Sequence, residues 1–483
     1  MTPQPSRSRG LALAVLCAMQ LMIILDGSVV TVALPTMQRE LGFSPAGLAW
    51  VMNTYLIAFA GLLLLAGRLG DLLGQTRVFV VGLATFTAAS LACGVSGSAG
   101  LLLAGRFVQG FGGALASAVI LGMIVRLYPE PAGQAKAMGG YSFVSAGGAS
   151  IGLIVGGSIT QLASWHWAFL INVPIGLVAL LFSKRLLPAG DSSSTGLGRG
   201  ADYLGAALVT VGLSLGIYAI VRTAEPTAGR VETLGAAAVA LALLVGFVVR
   251  QATAARPLLA LRIFRSRLVS AANLVVMLLV AAGFGFQFLT ALYLQRVLGF
   301  DSLSTGLAFL PAPVLIGAVS LLLSARLTAR FGGRTVLVAG LVAVAAGLAL
   351  LGRAPVQGSY AVDVMPLLAL LGAGMGLAIP AAIMLAMSDT DPADAGLASG
   401  LNNTAQQVGA AIGIATLATL AAARTGASAA GATPTAAALR DGYSLGFLAA
   451  AGLVLVAIAV SFALPAARRN TPAPSPEPTP CPA

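Results

Sequence analysis

Long apolar segments dominate this chain and constrain its fold more than any other feature. Fourteen of them follow one another along the 483 residues, from 11–34 to 443–464, each of a length that crosses a bilayer as a helix. Only 9% of the residues are charged and 58% are hydrophobic, so the chain cannot cover itself with a water-soluble surface. Membrane β-barrels alternate polar and apolar residues and lack such segments. The sequence therefore predicts an all-α polytopic membrane protein with fourteen transmembrane helices.

The basic residues indicate how these helices are oriented. The formal net charge is +12, and nineteen of the 27 Lys and Arg residues fall on the side of the N-terminus, against seven on the other side. Such a bias places both termini in the cytoplasm, and we expect a multi-pass protein of the bacterial cytoplasmic membrane. The positive charge then reflects topology, and we predict no nucleic-acid partner.

An internal repeat divides the chain into two halves. Residues 63–83, LLLAGRLGDLLGQTRVFVVGL, return 258 residues later at 321–341 as LLLSARLTARFGGRTVLVAGL. Duplicated halves are typical of transporters, whose substrate site lies between them near the bilayer midplane. Because the copies are eight helices apart, we expect two six-helix halves and an inserted two-helix hairpin. The predicted divisions are the N-terminal half at 1–188, the linkers and hairpin at 189–267, the C-terminal half at 268–465, and a disordered, Pro-rich cytoplasmic tail at 466–483.

Two ionisable side chains lie deep within predicted helices. Asp26 follows the middle of helix 1, and Arg106 lies inside helix 4, where it can pair with Asp26 or with backbone carbonyls. A charge at this depth costs about 2.5–3.5 kcal/mol on insertion scales and is rare without a role. The pair can be purely structural. Burial favours the neutral acid, however, and a nearby cation favours the carboxylate, and these opposing influences suit a proton carrier.

Small and polar residues accompany the two charges. In helix 4, Gln109 and Gly110 share one helical face with Arg106, and this face is expected to turn into the bundle. Helix 5 has glycines at a four-residue spacing, which allows close helix packing and can make the interface between the halves pliable. These glycines are Gly148, Gly152 and Gly156, with Gly157 beside the last.

The loop between helices 2 and 3 carries the polar motif GRLGDLLGQTR. It is either an ordinary solvated turn or, as its recurrence in the repeat suggests, a gating latch in which a carboxylate holds the start of the next helix. Ala329 replaces the acidic residue in the second copy, so such a latch would be asymmetric. The gating residues of this motif are Gly67, Asp71, Gly74 and Arg77.

Uncharged polar, sulfur-containing and aromatic side chains are the candidates for contacting a substrate. The amides of helix 13 suit a ligand or another helix equally well, and flexible or aromatic side chains suit an adaptable pocket, although most such residues are core. The candidate substrate-lining residues are Met22, Asn53, Tyr55, Phe284, Asn402 and Gln406. Trp165, His166 and Trp167 are expected in an aromatic belt at the outer membrane boundary.

Enzymatic chemistry has little support in the residues. The single histidine, His166, cannot alone form a metal site or a Ser–His relay, and the three cysteines have neither metal-ligand spacing nor a disulfide framework. We therefore predict no catalytic residues, no metal and no cofactor.

Together these motifs resemble the major facilitator superfamily, specifically its fourteen-helix drug:H+ antiporter branch. LDGSVVTVALP is similar to the helix-1 motif of that branch, and GRLGDLLGQTR to the helix 2–3 loop motif. RFVQGFGGA resembles the helix-4 motif associated with proton transfer, and GASIGLIVGG the helix-5 antiporter motif, with Leu153 where proline is usual. The similarity extends over about residues 11–465 and implies the major facilitator fold and proton-coupled export.

The expected function is proton-coupled efflux of small amphipathic drugs or antibiotics by alternating access, with the proton gradient as the energy source and the protein as a monomer. Since no acidic residue lies at membrane depth in helices 9–14, we expect neutral or monocationic substrates. A proton-coupled symporter or a uniporter for a small metabolite is the alternative on the same fold. A membrane-embedded enzyme and a channel are disfavoured, because neither a catalytic constellation nor polar pore-lining rings are present.

Overall fold

The part of the chain that the structure describes is helical. The structure, a computed structural model, describes residues 6–45, 47–128, 130–187, 202–223, 229–254, 257–258, 261–387, 395–429 and 434–463. In that part, eleven helices are long and apolar enough to cross a membrane. Shorter apolar helices at Gly47–Leu63, Ile151–Leu162 and Trp167–Ser183 occupy the places of predicted helices 2, 5 and 6. The fourteen predicted spans therefore each have a helical counterpart.

The α-helices are numbered here in chain order. They are α1 (Ser6–Leu41), α2 (Trp50–Leu73), α3 (Gln75–Gly94), α4 (Ala99–Leu127), α5 (Pro131–Leu162), α6 (Trp167–Leu170), α7 (Asn172–Leu186), α8 (Tyr203–Arg222), α9 (Arg230–Thr253), α10 (Arg267–Arg296), α11 (Ser302–Phe309), α12 (Pro311–Val319), α13 (Ala325–Phe331), α14 (Gly333–Leu351), α15 (Met365–Met387), α16 (Ala395–Ala429) and α17 (Ala436–Ala463).

Some predicted spans are interrupted or longer than expected. Predicted helix 10 consists of α11, α12, a π-helical segment at Ser320–Ser324 and α13. Pro311 at the start of α12 has no N–H to continue the preceding helix, and α11 accordingly ends at Phe309. In contrast, α1 continues through Pro35 to Leu41, beyond its predicted end at residue 34.

The internal repeat is visible in the backbone. The short turn from α2 to α3 is made by Gly74 with φ +91°, and the turn from α13 to α14 by Gly332 with φ +85°. These two glycines occupy the same place in the repeat, and only glycine readily adopts this backbone conformation. The turn geometry therefore explains why glycine stands at both positions.

Helix packing repeats as well. A methyl group on Gly82 of α3 would lie 2.8 Å from the Gly112 carbonyl oxygen of α4. A methyl group on Gly340 of α14 would lie 2.6 Å from the Gly374 carbonyl oxygen of α15. In both halves a glycine thus lets two helix backbones approach closely.

The two halves meet along a seam formed by α1, α2 and α5 on one side and α10, α11, α12 and α16 on the other. We call the end of the bundle where α1 begins the basic end, after its predicted arginine-rich loops. At the opposite end, Gln161 donates a hydrogen bond to Asp301 over 3.0 Å, and Gln295 donates to the Val32 carbonyl over 3.0 Å. Hydrogen bonds therefore join the halves at the opposite end in this conformation.

Helices α8 and α9 form the inserted hairpin. Asp202 caps α8 by accepting from the Gly205 N–H over 3.0 Å, and it also accepts from Arg250 and Gln251 of α9. Burial raises the pKa of Asp202, but these donors and the charge of Arg250 outweigh it, so the pKa is lowered overall. α8 packs against both α2 and α16, whereas α9 packs on α8 and few of its residues are buried. The hairpin therefore lies at the periphery, with α9 outermost.

The predicted division into domains stays a prediction. Its boundaries at residues 188 and 465 lie outside the described residues, as do the Gly/Ser-rich linker and the Pro-rich tail.

Candidate functional site: a buried charge cluster beside a central cavity

Asp26 is fully buried in the middle of the N-terminal half. It lies on α1, which remains helical through Asp26 and Gly27. The next polar side chains, Ser28 and Thr31, donate to the carbonyls of Ile24 and Gly27, so they satisfy themselves on their own helix. The carboxylate must therefore find its partners on other helices.

Arg106 on α4 is the main partner, and it too is fully buried. Its Nη1 donates to Asp26 Oδ2 in a direct ion pair and also to Gln109 Oε1 over 2.8 Å. Its Nε donates to the Val51 carbonyl of α2 over 2.9 Å. The structure thus brings Arg106 to both kinds of partner considered from the sequence, the carboxylate and a backbone carbonyl.

Gln109 completes the cluster one turn further along α4. Its Nε2 donates to Asp26 Oδ1 over 2.7 Å and to Ser90 Oγ over 2.9 Å. The Ser90 hydroxyl in turn donates to the Phe86 carbonyl of α3 over 2.8 Å. The charge cluster, Asp26, Arg106, Gln109 and Ser90, therefore joins α1, α3 and α4 directly and α2 through a carbonyl.

Aromatic rings cover the guanidinium group. The Arg106 Cζ lies 4.5 Å from the ring centroid of Tyr55 and 5.7 Å from that of Phe169. Such cation–π contacts strengthen when water is excluded. Within the described residues, Arg106 Nη2 and the Tyr55 hydroxyl are buried without a hydrogen-bond partner. The Nη2 nitrogen of the guanidinium is therefore left without an acceptor among the described residues.

The hydrogen bonding fits an ionised Asp26, since both carboxylate oxygens accept and a carboxylate can only accept. A buried ion pair is held by its mutual attraction against a large desolvation cost, so removing one partner is strongly destabilising. The ion pair and its hydrogen bonds therefore connect four helices, α1 to α4, in this conformation.

A central cavity of about 230 Å³ lies between the halves, and one of its lining residues, Ser28, follows Asp26 by two positions on α1. From the N-terminal half it is lined by Ser28 and Leu153. Helices α10, α11, α12 and α15 supply the rest of the lining. Phe284, a candidate substrate-lining residue, is among them, together with Gln287 and Met375. The lining is largely apolar, with a few polar groups that can fix a ligand.

The other candidate substrate-lining residues lie away from this cavity. Tyr55 belongs to the surroundings of the charge cluster, and Met22 and Asn53 are fully buried in the N-terminal half. Asn402 of α16 donates to Asn273 Oδ1 of α10 over 3.4 Å and accepts from Gln406 over 2.7 Å. These amides therefore hydrogen-bond to each other and to a neighbouring helix in this conformation.

The helix-5 glycines lie where helices cross. A methyl group on Gly152 would lie 2.7 Å from Ser28 Cβ, and one on Gly156 would lie 2.7 Å from Val29 Cα. Gly148 likewise faces α1. Gly157 faces α11 across the seam, and a methyl group on it would lie 2.6 Å from the Ser302 carbonyl oxygen. The glycine run therefore packs α5 on the helix that carries Asp26 and on the other half.

The remaining motif residues differ in their surroundings. Gly110 faces the Tyr55 carbonyl of α2 so closely that a methyl group would collide with it. Gly74 makes the turn described above, Gly67 has open space around it, and Arg77 is exposed. The side chain of Asp71 lies outside the described residues, and the gating latch stays a prediction.

Sequence reasoning missed several contacts. Trp165 is fully buried and donates from its indole nitrogen to Glu40 over 2.6 Å, so its predicted place in an outer aromatic belt is wrong. Trp167, which is half exposed, is the better candidate for such a belt. The Trp165 ring packs edge-on against Phe169, which covers Arg106. The available signal was that Glu40, an acid, lies near the same end of the bundle.

Comparisons with known proteins agree with this architecture. A family model described as Major Facilitator Superfamily matches residues 16–414. The puromycin resistance protein pur8 of Streptomyces alboniger is 38% identical over 465 residues, which is 94% of this chain and 90% of that protein. The cephamycin export protein CmcT of Amycolatopsis lactamdurans is 35% identical over 410 residues, 85% of this chain and 84% of that protein.

Solved structures share the fold at low sequence identity. A bacterial homologue of the human lysosomal transporter Spinster matches with a TM-score of 0.68 at 17% identity, over 95% of this chain and 98% of that one. The nucleoside transporter NupG matches with a TM-score of 0.64 at 15% identity, over 94% of this chain and 98% of that one. With its helical bundle, its internal repeat and these relatives, the chain belongs to the Major Facilitator Superfamily.

Proposed function

We propose that this protein is a proton-driven exporter of small amphipathic antibiotics, in which Asp26 carries the proton and Arg106 controls its release. The observation that supports this most directly is the buried charge cluster beside the central cavity. Ser28, two residues from Asp26 on the same helix, lines the cavity, so a ligand there and a proton on Asp26 act on one segment of α1.

Alternating access would follow from the state of this segment. With Asp26 ionised, the cluster holds α1 against α3 and α4. Protonation would release the carboxyl from Arg106 and free α1 to shift against α5, its partner along the helix-5 glycines. A conformational equilibrium can be driven in this way only if the proton binds the two states unequally. Loss of the ion pair in the other state would supply such a difference.

The orientation and energy source follow from the charges. We place the basic end in the cytoplasm of a bacterial cell, because basic loops are retained there. A proton that enters through the protein then moves down the membrane potential, which is worth about 2.3 kcal/mol per 100 mV. The proton gradient is thus the energy source, with no cofactor, and one chain with its two halves suffices as a monomer.

The substrate class is drawn from the cavity and the relatives. No charged residue lines the central cavity among the described residues, so it suits amphipathic molecules that are neutral or carry one positive charge. Two relatives are named for puromycin resistance and cephamycin export. We therefore place this protein among exporters of antibiotic-sized molecules.

Uptake of puromycin into inside-out membrane vesicles tests the proposal. An imposed pH gradient, acidic inside the vesicles, is expected to drive puromycin inward in the wild type and not in Asp26→Asn. Asp441→Asn, which changes a partly exposed acid paired with Arg440, is the matched control and is expected to retain uptake. Equal gradient-driven uptake by Asp26→Asn would exclude Asp26 as the proton carrier. Transport that requires the reverse gradient would instead indicate a symporter.

A further inference from the structure

A second cavity lies in the C-terminal half, at the end opposite the basic end. Its volume is about 470 Å³, and it shares no lining residue with the central cavity. Helices α10, α16 and α17 form its walls, and Ser44 and Pro45, which follow α1, close one side. We call it the C-half pocket.

Most of the pocket wall is apolar, but polar groups gather at one place. Phe288, Leu292 and Leu439 form part of the apolar wall. Arg296, in the last turn of α10, and Tyr443 of α17 line the same pocket. The pocket wall thus carries a guanidinium from α10 and a phenol hydroxyl from α17. One cation therefore faces a cavity that is otherwise suited to hydrocarbon.

The Tyr443 hydroxyl has an unused donor. The side chain is 4% exposed, and its hydroxyl proton has no acceptor among the described residues. A buried donor without an acceptor is costly, and such groups usually meet a ligand or an ordered water. Because this tyrosine lines the pocket, a ligand with a carboxylate oxygen can supply the missing acceptor.

Arg296 also lacks a carboxylate partner. At the same end of the bundle, Arg222 pairs with Glu232 and Arg440 pairs with Asp441. In the part of the chain that the structure describes, no such ion pair involves Arg296. A half-buried guanidinium beside an apolar cavity favours an anion that brings its own apolar body.

We propose that the C-half pocket is a second ligand site, which binds amphipathic carboxylates. The acid accepts hydrogen bonds from Arg296 and from the Tyr443 hydroxyl, and the apolar body packs against Phe288, Leu292 and Leu439. This chemistry differs from that of the central cavity, whose described lining carries no charge. Binding here does not depend on proton-driven export, so the two proposals can fail separately.

Binding of radiolabelled decanoate to the purified protein in nanodiscs tests the site, with empty nanodiscs as the baseline. We expect saturable binding by the wild type that Arg296→Gln weakens roughly tenfold and Tyr443→Phe roughly threefold, since one charged and one neutral hydrogen bond are lost. Ala422→Phe, which adds a ring to the pocket wall, is expected to abolish binding. Arg353→Gln, which changes an exposed arginine at the same end, is the matched control.

Ligand chemistry and ligand source are tested by two further arms. Decanol is expected to bind at least roughly tenfold more weakly than decanoate, because it lacks the charge that Arg296 recognises. Equal binding of the two would overturn the proposal, as would unchanged decanoate binding by Arg296→Gln or Ala422→Phe. Palmitate, which partitions into the bilayer, is compared with decanoate from the aqueous phase. Arg296-dependent binding of decanoate indicates a ligand from the medium, and such binding of palmitate alone indicates a membrane fatty acid. Unchanged thermal unfolding of each variant shows that the fold is retained.

Discussion

The two halves of this molecule have the same helix packing and different chemistry. In the N-terminal half, the buried polar centre is ionic, with Asp26 and Arg106 in direct contact. In the C-terminal half, the comparable polar contacts are amide hydrogen bonds, such as that from Asn402 to Asn273. The lining of the central cavity, in contrast, comes mostly from the C-terminal half, and only Ser28 and Leu153 belong to the N-terminal half.

This difference indicates that the two halves of a duplicated fold contribute different parts of the candidate site. The helix contacts that both halves need, such as those of Gly82 and Gly340, are retained in both. The buried ion pair lies in one half, and most of the lining of the central cavity lies in the other. Under the proposed function, a proton and a substrate would influence each other through the seam without competing for the same atoms.

The largest expected effect comes from breaking the ionic centre. Arg106→Gln leaves a buried carboxylate without its cation, and we expect the free energy of unfolding to fall by about 3–5 kcal/mol. The double variant Asp26→Asn/Arg106→Gln removes both charges of the cluster and is expected to recover most of that stability while gradient-driven export stays lost. Denaturant-induced unfolding in detergent micelles measures the first effect, and vesicle uptake measures the second.

The C-terminal control for this experiment is Asn402→Ala. It removes neutral hydrogen bonds, so the expected cost is about 1 kcal/mol. If Asn402→Ala destabilised the protein as much as Arg106→Gln does, the contrast between an ionic half and an amide half would be wrong. A double variant no more stable than Arg106→Gln would likewise show that the ion pair is not the source of the effect.

A smaller effect is expected where the halves are alike. Gly82→Ala and Gly340→Ala each push a methyl group against the backbone of a facing helix, and we expect each to cost about 1–3 kcal/mol through overpacking. Gly140→Ala and Gly317→Ala are matched helical controls with open space around the added methyl, and they are expected to be neutral or slightly stabilising. The same unfolding assay applies. Loss of stability in one half alone would show that the common packing is not equally required.

The sequence was sufficient for the features that depend on local pattern. The fourteen spans follow from hydropathy, and the repeat follows from residues 63–83 and 321–341, whose shared glycine makes the same turn twice. Asp26 and Arg106 were recognisable as the two charges at membrane depth. These two residues are 80 positions apart in the sequence. Their charges indicated an ion pair as one possibility and a contact of Arg106 with backbone carbonyls as the other.

The sequence was insufficient where a side chain's environment depends on the packing of distant helices. Nothing in the sequence distinguishes Ser90 from other helical serines, and its role as an acceptor for Gln109 depends on the packing of α3 against α4. Trp165 is of a residue type common at membrane interfaces, but its side chain is fully buried and its indole N–H donates to Glu40 of α1. The same reason explains why only some candidate substrate-lining residues line the cavity. Phe284 lines it and Met22 is buried elsewhere, and only tertiary packing distinguishes the two.

The smallest expected effect concerns the seam that joins the halves. The pKa of Asp301 is lowered by the Ser304 backbone N–H, the Ser304 side chain and Gln161 of the other half, against a small opposing effect of burial. A group with a lowered pKa stabilises the folded state above its ordinary pKa of about 3.9 and loses that contribution as the pH falls through the lowered value.

Asp301→Asn removes the charge and keeps a residue that caps α11, so the test isolates the carboxylate. Because Asp301 is exposed and screened by solvent, we expect a loss of less than about 1 kcal/mol at pH 7. The difference from the wild type should narrow below about pH 4, where the wild-type carboxylate also takes up a proton. Unfolding of both proteins measured from pH 7 to pH 3 checks this. A difference that stays constant over that range would show that the Asp301 charge does not stabilise the seam, and the contact of Gln161 with Asp301 would then join the halves by shape and neutral hydrogen bonding alone.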